Sequence, residues 1–131
     1  MIALVVESNP NSADVICRQL KALGFKDEDI HVTGTAEGGM ELAKQVRPQF
    51  VLVDEHLPDD YGVELIDALR SLKPDSVLAL YSVDDNDEAI QEAFKAGCNY
   101  YVIRPNGLQQ LCRDLRSPEM LLRANARAVF R

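Results

Sequence analysis

The sequence predicts an α/β fold: a doubly wound, five-stranded parallel sheet in the order 2-1-3-4-5. Three observations carry this. Five short apolar runs alternate with five stretches of helical periodicity along 131 residues, and strands separated by helices pair in parallel through right-handed crossovers. The first, third and fourth runs (residues 2–6, 50–53 and 77–81) are continuously apolar, as strands buried on both faces are. The second run, residues 30–33, alternates Ile30 and Val32 with His31 and Thr33, so it belongs at an edge.

Each helix has its own signals. The first places Ala13, Ile16, Leu20 and Leu23 on one face, starts at Asn9-Pro10 and stops at Gly24. The second carries Ala36, Met40, Ala43 and Val46 and ends before Pro48. Its Gly38-Gly39 pair weakens it by up to about 1 kcal/mol per glycine relative to alanine. The third presents Leu65, Ile66, Leu69 and Leu72, and the fourth Ala89, Ile90, Ala93 and Phe94 before Gly97. The fifth strand covers residues 100–103, and a short fifth helix follows, around Leu108 to Leu115. Ser117-Pro118 breaks that helix. The tail, residues 119–131, places Met120, Leu121, Leu122, Ala124, Ala126, Val129 and Phe130 among arginines and predicts an amphipathic helix. The expected organisation is one domain over residues 1–116, with 117–131 as a helical extension or linker; a tail packed on its own domain is the alternative.

The formal net charge of −7 and a sequence pI of about 4.7 argue against non-specific nucleic-acid binding and against docking on anionic lipid. Cys17, Cys98 and Cys112 are far apart and odd in number, which suggests neither a disulfide framework nor a zinc site. They fit a reducing compartment. With no apolar stretch near the roughly 20 residues of a membrane span and no leader-like start, the expected location is the cytoplasm.

Chemistry converges at the carboxyl ends of the strands, where open α/β sheets form their active crevice. Glu7-Ser8 follows the first strand, Asp54 the third, Ser82 the fourth and Arg104-Pro105 the fifth. An acid, a carboxylate, a hydroxyl and a fixed cation thus meet from distant places in the chain. They suit phosphoryl chemistry, with Asp54 attacking phosphorus to give an acyl phosphate. In this reading Glu7, Asp54 and the backbone carbonyl near His56 hold Mg²⁺, while Ser82 and Arg104 contact phosphoryl oxygens.

The chain resembles the receiver domains of two-component response regulators over residues 1 to about 116. The resemblance rests on Leu4-Val5-Val6-Glu7-Ser8-Asn9, on Val51-Leu52-Val53-Asp54 with Leu57-Pro58 and Gly62, on Ala79-Leu80-Tyr81-Ser82, and on residues 96–105 from Ala96-Gly97 to Arg104-Pro105. It implies a flavodoxin-like receiver fold, a phosphoacceptor at Asp54, a switch hydroxyl at Ser82 and a switch aromatic at Tyr101. Phosphorylation in that family changes the partners of the face made by the fourth helix, fifth strand and fifth helix. The implied partners are a sensor histidine kinase or phosphotransfer protein and a downstream output domain or protein; a homodimer through the same face or through the tail is compatible with the sequence.

Two residues depart from the family pattern. Ser8 stands where a second acid is usual, which weakens the expected Mg²⁺ site. Arg104 stands where lysine is usual; its planar fork clamps phosphate bidentately or pairs with Asp54 and holds the pocket shut. The expected function is therefore a receiver accepting a phosphoryl group on Asp54, with a pseudo-receiver, a phosphorylation-independent protein-interaction module, as the alternative. Any enzyme activity expected is limited to self-phosphorylation and autodephosphorylation at Asp54.

Overall fold

The computed structural model describes residues 1–123 and 127–131. Its elements run β1 (Ala3–Val6), α1 (Pro10–Leu23), β2 (Ile30–Thr33), α2 (Ala36–Val46), β3 (Phe50–Asp54), α3 (Gly62–Leu72), β4 (Val77–Ser82), α4 (Asp87–Ala96), β5 (Tyr100–Ile103), α5 (Gly107–Leu115), α6 (Pro118–Leu121) and β6 (Ala128–Phe130). The strands form one sheet in the order β2-β1-β3-β4-β5-β6, and every pairing is parallel. The predicted order of the first five strands holds, with β2 at the edge.

The predicted tail helix does not form as expected. Ser117 caps a single turn by accepting from the Met120 amide. Residues 128–130 then add a sixth strand instead of continuing a helix. The predicted helix rested on periodicity alone. A free β5 edge offers Ala128-Val129-Phe130 main-chain partners and a buried place for Phe130, and tertiary context outweighs a marginal helical pattern. Ala124 and Ala126, two positions of that pattern, lie outside the described residues.

Alternate strand residues face opposite sides of the sheet. Leu4, Val6, Val51, Val53, Leu78, Leu80, Tyr101 and Ile103 pack with α2, α3 and α4. Ala3, Val5, Phe50, Leu52, Ala79, Tyr81, Tyr100 and Val102 pack with α1 and α5. Cys98 is buried in the first of these layers, and burial pushes its thiol up to about 12.

Local signals set the helix positions. The Asn9 side chain accepts from the Asn11 and Ser12 amides; Thr35 accepts from Gly38. Asp59, from the β3–α3 loop, also accepts from the Ala36 and Glu37 amides at 2.8 and 3.0 Å, tying that loop to the start of α2. Gly39 lets α2 lie close on the sheet: a Cβ there would stand 3.0 Å from Val6 and 3.2 Å from Leu65. The glycine that weakens the helix intrinsically thus permits its packing. At the opposite edge from the strand ends, Arg70 donates to the carbonyls of Gly97, Lys73, Pro74 and Ser76 and to the Asn99 side chain.

Candidate functional site

Side-chain alternation carries past the strand ends and divides the chemistry in two. Glu7, Asp54, Tyr81 and Arg104 continue the parity of Val5, Leu52, Ala79 and Val102, so they gather on the α1 and α5 side. Ser82 and Tyr101 have the opposite parity and lie toward α3 and α4.

The first group is built around Arg104. Its Nη2 donates to Glu7 Oε1 at 2.6 Å and to Asp54 Oδ1 at 3.1 Å. Its Nη1 donates to Ser12 Oγ at 3.1 Å, and the guanidinium stacks 3.9 Å above the Tyr81 ring centroid. Ser12, on the first turn of α1, donates to the same Glu7 oxygen at 2.6 Å. Glu7 is 4% exposed. The Arg104-Pro105 peptide bond is cis. The guanidinium therefore occupies the space between the two acids, and a planar, weakly hydrated fork suits that place better than a compact ammonium does.

Two carboxylates share one cation here. Burial pushes the Asp54 carboxyl up, and its hydrogen bond and charge repulsion with Glu7 push it further, against the pull of Arg104. Burial works the same way on Glu7, but the bonds from Ser12, Asp54 and Arg104 outweigh it and leave Glu7 below its ordinary value. The two shifts run in opposite directions, so of the two carboxyls Asp54 is the readier to take up a proton.

The second group centres on Ser82, which is 1% exposed. Its hydroxyl donates to Glu55 Oε2 at 2.7 Å and accepts from the Asp84 amide at 3.0 Å. No hydrogen bond among the described residues joins Ser82 to Asp54. Burial raises the Glu55 carboxyl, and Asp84 adds to the rise against the Ser82 bond. Tyr101 is fully buried and donates its hydroxyl to the Asp84 carbonyl at 2.9 Å. His56 lies with its side chain exposed in the β3–α3 loop, beside Glu55 and Tyr61.

The structure thus brings Glu7, Asp54 and Arg104 together and sends Ser82 and Tyr101 to a neighbouring cluster. Sequence reasoning missed Ser12, Tyr81, Glu55 and Asp84. Glu55 was legible in principle, since it continues the parity that places Ser82. Ser12 follows from an α1 beginning at Pro10, whose first turn faces the end of β1.

These residues do not fit a Mg²⁺ centre. Mg²⁺ is held by one or two carboxylates and waters, and here one oxygen of each acid already faces a fixed positive charge, the guanidinium of Arg104, which repels a second cation. Ser8 is exposed and contributes no charge. Among the described residues, no group of three or more His, Cys, Asp or Glu side chains converges to hold a metal.

The response regulator receiver domain model matches residues 3–116. The chain belongs to the response regulator receiver family. It is 31% identical over 100 residues to the nitrate/nitrite response regulator protein NarL of Escherichia coli K12, covering 72% of this chain and 46% of that protein. It is 32% identical over 115 residues to the transcriptional regulatory protein CitB of Klebsiella pneumoniae, covering 86% of this chain and 47% of that one. The chain thus spans about half the length of these relatives. The CheY-like receiver domain protein of Methanospirillum hungatei shares the fold, with a TM-score of 0.79 at 21% identity over 93% of this chain and 94% of that one. The receiver is a domain of two-component signalling. No described helix is long and apolar enough to cross a membrane.

Proposed function

We propose that this receiver works as a phosphorylation-independent protein-interaction module, its acid site held closed by Arg104. The observation that carries this is the pair of bonds from one guanidinium nitrogen to Glu7 and Asp54. A phosphoryl donor has to compete with that nitrogen for Asp54 Oδ1, and a metal has to compete with it at both acids. The engagement of Ser82 by Glu55 supports the same reading, because the hydroxyl is committed elsewhere. The partners in this reading are proteins of a two-component pathway, a histidine kinase or phosphotransfer protein on one side and an output domain or protein on the other. The expected setting is the cytoplasm.

The second reading, phosphoacceptance at Asp54 with Mg²⁺, is favoured by one observation: the Asp54 side chain keeps 16% exposure. One experiment separates the two. The chain is incubated with beryllofluoride or acetyl phosphate and Mg²⁺, beside a receiver known to react, and followed by mass spectrometry and backbone amide spectra. The proposal expects no phosphoryl-sized mass increase and no spectral change at residues 54, 82 and 101. A stoichiometric adduct on Asp54 would establish the second reading.

A further inference from the structure

At the β5 edge the chain adds a sixth strand to the five that the sequence predicts. Residues 128–130 lie along it in register, Ala128 beside Tyr100, Val129 beside Tyr101 and Phe130 beside Val102. Phe130 is 7% exposed, and its ring meets that of Tyr100 edge-on at 5.7 Å. The flanks are held from α4: Arg127 lies over the Phe94 ring at 5.5 Å, and Arg131 pairs with Asp85 in the loop before that helix. Gly107 opens α5 beneath the segment. A Cβ at Gly107 would strike the Phe130 carbonyl, yet the Gly107 backbone has no positive φ. Space for the strand, not backbone freedom, is what that glycine supplies.

We propose that residues 127–131 are an intramolecular latch, a strand that closes the β5 edge and covers the face made by α4, β5 and α5. Its attachment is small: three residues of ladder, one buried aromatic ring and two surface cations. Exposed ion pairs contribute little, so release costs far less than unfolding the sheet. The latch also touches the Ser82 cluster. The loop that carries Asp85 carries Asp84, which donates its amide to Ser82 and accepts from Tyr101. A rearrangement at Ser82 therefore moves the loop to which Arg131 is paired. When the strand leaves, a row of unpaired main-chain groups opens, the kind of edge that accepts an extended segment of a partner.

The inference does not depend on whether Asp54 accepts phosphate, and its test reads the strand directly. Amide hydrogen exchange is followed by NMR on the whole chain and on two variants. Gly107→Ala adds one methyl against the strand without weakening α5; Phe130→Ala removes the buried ring. In the wild type, the amides of Ala128 and Phe130, which face β5, should exchange at least about tenfold slower than in a free peptide and about tenfold faster than those of β1 and β3, as local opening requires. Both variants should bring these two amides close to the free-peptide rate and leave β1 and β3 unchanged. Wild-type exchange of both at the free-peptide rate, or as slow as β1 and β3, would overturn the latch. So would a Gly107→Ala chain in which these two amides exchange as in the wild type.

Discussion

Arg104 and Glu7, 97 residues apart in sequence, are joined by a 2.6 Å bond between Nη2 and Oε1. The Glu7 side chain is 3% exposed and that of Arg104 24%, so this pair is largely shielded from solvent. Removing one partner strands the other, which costs more than an exposed pair contributes. Glu7→Gln should lower unfolding stability at pH 7 by about 1.5–3 kcal/mol, read from urea denaturation. A loss under roughly 0.5 kcal/mol, the size of an ordinary surface change, would mean that Asp54, Ser12 and Tyr81 suffice to hold Arg104.

Asp54→Asn should do the reverse. Asp54 has its folded value raised by burial and Glu7. Its contribution to stability is therefore full below the ordinary aspartate value and is lost as pH rises through the raised one. Glu7, lowered, contributes above the ordinary glutamate value and loses that contribution as pH falls through its own. Asparagine removes the first dependence and keeps the second. The variant's stability should no longer fall as pH rises above the ordinary aspartate value, and it should be the more stable of the two chains once Asp54 of the wild type is ionised. Parallel pH curves for variant and wild type would refute the assignment of the proton to Asp54.

Ser82 and Glu55 should prove energetically coupled. A double-mutant cycle with Ser82→Ala and Glu55→Gln isolates their bond, and a coupling of about 1 kcal/mol is expected for a partly buried charged acceptor. Additive effects would show that the hydroxyl is not spent on Glu55.

Restoring the usual family residues should reopen the site. Ser8→Asp together with Arg104→Lys adds a carboxylate and withdraws the guanidinium whose Nη2 bridges Glu7 and Asp54. We expect this double variant to gain Mg²⁺-dependent beryllofluoride binding, visible as amide shifts at residues 54 and 82, while the wild type shows none. Identical titrations for the two chains would place the obstruction elsewhere.

Much of this was legible in the sequence. Five apolar runs were enough to place Glu7, Asp54 and Arg104 at one edge, because parallel strands share their carboxyl ends. Ser82 was placed at the right edge but given the wrong neighbours. Strand ends alone do not say on which side a residue emerges, and counting parity from Tyr81, one residue earlier, would have. Residues 128–130 were misjudged for a different reason. A three-residue strand has no periodicity to read, and the free edge that recruits it exists only once β5 is in the sheet.

Arg70 bears on where movement is permitted. By collecting carbonyls from the end of α3, the β4 approach and the end of α4, it ties together the segments that lead into β4 and β5. An α4 that shifts while these bonds hold turns about Gly97, so its travel is greatest at Asp87 and in the loop before it, where Asp84 and Asp85 lie.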